Sequence, residues 1–100
     1  MFVAGTAPVM SDGAAPPDGA YEQARRCLEI IVAALAEAGA RPEDVVRTRM
    51  YVTAPEHWDG VARAHGEVFR ETRPAATCVV TQLLDPRWLV EIEAEAILAP

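Results

Sequence analysis

Thr77-Cys78-Val79-Val80-Thr81-Gln82-Leu83-Leu84, the turn Asp85-Pro86-Arg87, and Leu89-Val90-Glu91-Ile92-Glu93-Ala94-Glu95-Ala96-Ile97-Leu98 decide the fold. In the last segment Val90, Ile92, Ala94, Ala96 and Leu98 alternate with Glu91, Glu93 and Glu95. Side chains on a strand point to opposite faces in turn, so this period predicts a strand with one core face and one acidic face. The β-branched run before it predicts another strand over 77–84, and Asp-Pro-Arg between them is turn chemistry.

Upstream, Val45 to Thr53 also alternates, with Val46, Thr48, Met50 and Val52 on one side and Val45, Arg47, Arg49 and Tyr51 on the other. That pattern predicts a strand with one mainly polar face. Between these strands, Thr53 and Glu56 have capping-box spacing and Pro55 suits a first turn, so a helix is expected to run to about Arg70 on a stripe of Trp58, Val61, Ala62, His65 and Phe69. His57, in its first turn, is expected to be exposed. A longer helix is expected from an Asp18 cap to about Ala38, with Ala24, Cys27, Leu28, Ile31, Leu35 and Ala38 inward and Gly39 as the stop. Gly13, Pro16, Pro17 and Gly19 mark a loop before it, and Met1 to about Val9 reads as a strand bent at Gly5, where another group can approach the backbone.

The resulting order, β-α-β-α-β-β, predicts an α+β fold with two helices covering one face of a mixed sheet. A chain of 100 residues is expected to form one domain over 1–100, with a small core that association would stabilise. Its formal charge of −6 opposes attraction to phosphate backbones, so nucleic acid is not expected as a partner. No apolar run reaches the ~18 residues of a membrane helix, and the start lacks the pattern of a secretory signal. No membrane partner and a cytoplasmic location are therefore expected. Cys27 and Cys78 show no CxxC or Cys/His spacing, so two reduced thiols are expected, with neither metal nor cofactor.

Val3-Ala4-Gly5-Thr6, Ala36-Glu37-Ala38-Gly39, Val45-Val46-Arg47-Thr48-Arg49-Met50-Tyr51-Val52, Pro74-Ala75-Ala76-Thr77-Cys78 and Glu91-Ile92-Glu93-Ala94 occur in the order found in the RidA/YjgF family, which the chain resembles over almost its whole length. Ala76 and Glu91 stand fifteen residues apart, the family's spacing between its arginine and its acidic residue. The resemblance implies a chorismate-mutase-like fold, a homotrimer with clefts between subunits, and small-molecule ligands such as enamines and imines. It also implies two departures: the chain starts at what would be the second family strand, and Ala76 replaces the arginine that holds a substrate carboxylate. Loss of such a bidentate, charge-assisted pair from a dry site costs on the order of 2–5 kcal/mol, which turns the expected substrate away from amino-acid-derived imines.

By the same resemblance Glu91 is the catalytic candidate, a carboxylate that orients or deprotonates the attacking water. Taken alone, Glu91, Glu93 and Glu95 equally describe a solvated acidic row paired with Arg47 and Arg49. Cys78, Ala76, Thr77, Gly5, Thr6, Phe69 and Trp88 are the ligand-binding candidates, Gly5 and the region of Cys78 through backbone amides. Residues in these positions also serve as plain strand and core residues. Three functions follow: hydrolysis of enamine or imine intermediates to carbonyl compounds and ammonia, a non-catalytic metabolite-binding or sensing module, and an endoribonuclease, the last opposed by the acidic charge.

Overall fold

The computed structural model, described over residues 1–98, runs β1 (Phe2–Thr6), α1 (Ala20–Glu37), β2 (Val45–Val52), α2 (Trp58–Phe69), β3 (Ala75–Val80) and β4 (Val90–Ala96). The element order is the one expected, and the strands form one mixed sheet in the order β1-β4-β2-β3. β4 lies antiparallel between β1 and β2, whereas β2 and β3 are parallel. Parallel neighbours need a crossover, and α2 with its flanking turns supplies it.

Both helices pack on one sheet face. Ala24, Cys27, Leu28, Ile31 and Leu35 of α1 and Val61, Ala64 and Phe69 of α2 form a continuous core with Met50, Val52, Val90, Ile92, Ala94 and Ala96 of the sheet. The helices approach closely at Gly60, where a Cβ would stand 2.9 Å from the backbone nitrogen of Tyr21. Gly39 ends α1 as expected. Its φ is 83°, its N–H donates to the Ala36 carbonyl at 3.0 Å, and the Ala40 N–H reaches back to the Leu35 carbonyl at 2.8 Å, the paired bonds of a Schellman stop.

Several local expectations are corrected. Gly19, not Asp18, precedes α1, and no side chain caps it. The expected Thr53 cap is also absent: α2 is entered through a 3₁₀ turn at Pro55–His57, and the Thr53 N–H instead donates to the Leu89 carbonyl. His57 is half-buried rather than exposed. Trp58 is 42% exposed, while Ala64 rather than Ala62 fills the helix stripe. Ala38 is exposed and Ala40 buried, because the chain reverses at Gly39. A shift in the β2–β4 register between Val45 and Arg47 turns Val45 inward and leaves Val46 exposed, opposite to simple alternation. β3 ends at Val80, so Thr81 to Leu84 is a loop, and β4 ends at Ala96, leaving Leu98 exposed.

Candidate active site

On the face away from the helices, in-register residues point the same way and form three cross-strand rows. Phe2, Glu95, Arg47 and Ala75 make one, Glu93, Arg49 and Thr77 the next, and Glu91, Tyr51 and Val79 the third. The three glutamates differ in what they touch. Arg49 Nη1 lies 3.2 Å from Glu93 Oε1 and 3.5 Å from Glu95 Oε1, and the Tyr51 hydroxyl donates to Glu93 at 2.8 Å. That bond is the main reason the Tyr51 phenol is held above its ordinary pKa, with desolvation second. Glu91 carries no such partner: among the described residues no hydrogen bond or salt bridge reaches its side chain.

Glu91 instead lies against β1. The β1–β4 pairing runs Val3 to Ala94 and Thr6 to Ile92, so Ala4 and Gly5 together oppose Glu93, a bulge of one extra residue. A Cβ on Gly5 would stand 2.5 Å from Glu91 Oε2. The two residues form one wall of an open depression of about 450 Å³, whose remainder is Tyr51, Glu93, Val79 and the loop Thr81 to Leu84. The lining is mixed, with apolar Val79, Leu83 and Leu84 facing carboxylates and a phenol. Among the described residues no cluster of His, Cys, Asp and Glu is arranged to hold a metal ion.

The other candidates are divided between faces. Thr77 lies on the open face, one row from Glu91. Cys78 pairs with buried Met50 and Ala76 with buried Thr48, which puts both on the helix side. The Cys78 thiol packs against the core, and burial raises its pKa. Phe69 is corrected to a core residue, 2% exposed and packed on the His65 ring behind the sheet. Thr6 turns its hydroxyl to the Ala4 carbonyl at 2.9 Å. Trp88 borders a neighbouring hollow, on the other side of Thr81, Gln82 and Leu83. Sequence reasoning missed that loop because the apolar pair Leu83-Leu84 extends a strand pattern. The polar Thr81-Gln82 step and the following Pro86 were the signal for an earlier end. Tyr51 was assigned to the polar face but not to the site.

A two-helix, four-stranded α+β unit with a free carboxylate in an open-face depression defines the class. Comparison with known proteins gives the family: the endoribonuclease L-PSP family model matches residues 1–98. The chain is 34% identical over 97 residues to a RutC family protein of Pyrococcus abyssi, covering 96% of this chain and 76% of that one. A Mycobacterium tuberculosis structure of the YjgF/YER057c/UK114 family superposes with a TM-score of 0.86 at 42% identity, over 97% of this chain and 77% of that one. Escherichia coli TdcF, solved with bound serine, superposes with a TM-score of 0.88 at 26% identity, covering 98% and 80%. The chain belongs to the RidA/YjgF family, also described as endoribonuclease L-PSP.

Proposed function

We propose that the chain is a single RidA-like domain of the cytoplasm that hydrolyses a small imine or enamine at the Glu91 depression. The observation that carries this is the inequality among the three glutamates. Arg49 and Tyr51 engage Glu93 and Arg49 also reaches Glu95, while the Glu91 carboxylate faces the depression with no hydrogen-bond partner among the described residues. A carboxylate in that state can accept a proton from water. The water oxygen then bonds to the imine carbon, the imine nitrogen takes up a proton, and the carbinolamine collapses to a carbonyl compound and ammonia. Backbone amides near Gly5 and Cys78 are the proposed donors to the polar end of the ligand.

The ligand expected is one without a carboxylate. The depression is lined by Glu91 and Glu93 and by no basic side chain among the described residues, and Ala76 stands where the family arginine would be. Like charges at close range oppose an anionic ligand. The solved TdcF complex with serine supports a small-molecule site in this fold, and so also favours the second reading, a module that binds a metabolite without turning it over. The charge of −6 weighs against ribonuclease activity.

Association of three copies through their open faces would close the depression. Phe2, 80% exposed, Val79 and Leu84, 97% exposed, are the apolar surface such an assembly would cover. Light scattering is expected to give a trimer, and a monomer at micromolar concentration contradicts it. For the reaction, imine generated in situ from benzylamine by an amine oxidase is the probe, with 2-iminopropanoate as the carboxylate-bearing comparison. Glu91→Gln is expected to lower turnover by about 10²–10⁴-fold, the range of general acid–base catalysis, with binding retained. Unchanged turnover removes Glu91 from the chemistry. No turnover with either protein, but equal binding, selects the binding module.

A further inference from the structure

We infer that Gly5 is a positioning residue, whose missing side chain is what allows the Glu91 carboxylate to lie against β1 and face the depression. This rests on the proposed role of Glu91. Six glycines occur in the chain, and three of them, Gly13, Gly19 and Gly39, have positive φ values that favour glycine for backbone reasons. Gly5 does not share that conformation, so its backbone is open to any residue. Gly60 is hemmed in by the backbone of α1, and Gly66 has open space around it. Among the described residues, only at Gly5 is the space that a Cβ would take held by a side chain with chemistry to perform: Oε2 of Glu91 at 2.5 Å, its Cδ at 3.3 Å and its Cγ at 3.8 Å.

The bulge is the second, independent observation. With Ala4 and Gly5 both opposite Glu93, β1 carries one residue more than β4 across this stretch. A bulge bends its strand and re-aims what it bears, and here it brings the Gly5 backbone over the carboxylate of the adjacent row. A methyl group at position 5 would meet the mobile end of the Glu91 side chain before any backbone, and Gly5 itself is exposed. The carboxylate therefore gives way and the fold does not. A displaced carboxylate no longer reaches the water it would orient, and reacting groups lose rate steeply with ångström-scale displacement.

The test compares Gly5→Ala, Glu91→Asp, the double variant and Glu91→Gln with the unmodified protein, using the benzylamine-derived imine and a crystal structure of Gly5→Ala. Gly5→Ala is expected to lower kcat by about 10–100-fold, with much less change in KM. Glu91→Asp is expected to lower kcat in the unmodified background. In the Gly5→Ala background it should leave kcat unchanged or raise it, because the shorter side chain withdraws from the added methyl. A merely structural role gives additive losses instead. A Gly5→Ala protein with full kcat while Glu91→Gln is inactive overturns the inference and spares the proposed reaction. Should Glu91→Gln be as active as the unmodified protein, or the unmodified protein inactive, the reaction is at fault. The crystal structure alone then decides on Gly5: a Glu91 carboxylate in its present position overturns the inference, and a displaced one upholds it.

Discussion

Glu91 and Ile92 are neighbours in one strand and belong to opposite halves of the molecule. Ile92 is 0% exposed and part of the core that the helices share with the sheet, whereas Glu91 stands on the open face among other charged groups. Behind the sheet polar groups are few and paired. Buried Gln23 spans loops by donating to the Pro17 and Arg87 carbonyls and accepting from the Leu89 N–H, and among the described residues no buried side-chain polar atom lacks a partner. In front of it the pairing is uneven, and among the described residues the Glu91 carboxylate has no partner. The fold is thus specified by one face of the sheet, and the other face is not needed to define it.

The sharpest way to break this comparison is to truncate each neighbour in turn. Ile92→Ala is expected to cost about 2–5 kcal/mol of unfolding free energy, the sum of lost transfer energy and a residual cavity. Glu91→Gln removes no packing and should stay within about 0.5 kcal/mol. Urea denaturation of the two variants checks this, and comparable losses would mean that the open face is as tightly built as the core.

A smaller effect tests how tightly the helix layer is packed. Gly60→Ala places a methyl 2.9 Å from the Tyr21 backbone nitrogen, which no side-chain rotation relieves, and should cost about 1–3 kcal/mol through overpacking. Gly66, in the same helix, has nothing within 4 Å of its missing Cβ. Gly66→Ala should therefore gain about 0.5–1 kcal/mol from helix propensity alone. Thermal unfolding of the pair gives opposite signs if α1 and α2 are as close as described, and equal gains if they can move apart.

The helix side was also the legible side. Alternation in Val90 to Ala96 and the stripe from Ala24 to Leu35 each follow from one period, so element order and most core residues could be read directly. What could not be read were places where a single extra residue breaks the period. The shift at Val45 to Arg47 exchanged the exposures of Val45 and Val46, and the bulge at Ala4 and Gly5 set the relation of Gly5 to Glu91. Glu91 was singled out by resemblance to a family, not by alternation, which treats Glu91, Glu93 and Glu95 alike. Their difference depends on which of them Arg49 and Tyr51 reach, and that is a matter of three dimensions. The sequence did show that Gly5 permits a close approach, but not which group makes it.

His65 lies behind the sheet, on the helix side, and extends the comparison to pH. Its Nε2 is 2.8 Å from the hydroxyl of Thr48, a fully buried residue of β2, and its ring packs 4.8 Å from that of Phe69. Burial without a charged partner lowers its pKa below the ordinary 6.5, since desolvation penalises the imidazolium. Between the folded and unfolded values the unfolded chain binds more protons, so stability rises with pH through that window. The contribution of His65 is complete above about pH 6.5, the value expected for the unfolded chain, and falls as the pH drops toward the folded-state value. Asp85, held at about 2 by Arg87, is half-buried and loses its own contribution only in much stronger acid, below its ordinary 3.8. Unfolding free energies measured from pH 7.5 to 5 should therefore decline, and the His65→Gln variant should show a flatter profile over the same range. An unchanged slope in the variant would show that the burial of His65 is not the source of the acid sensitivity.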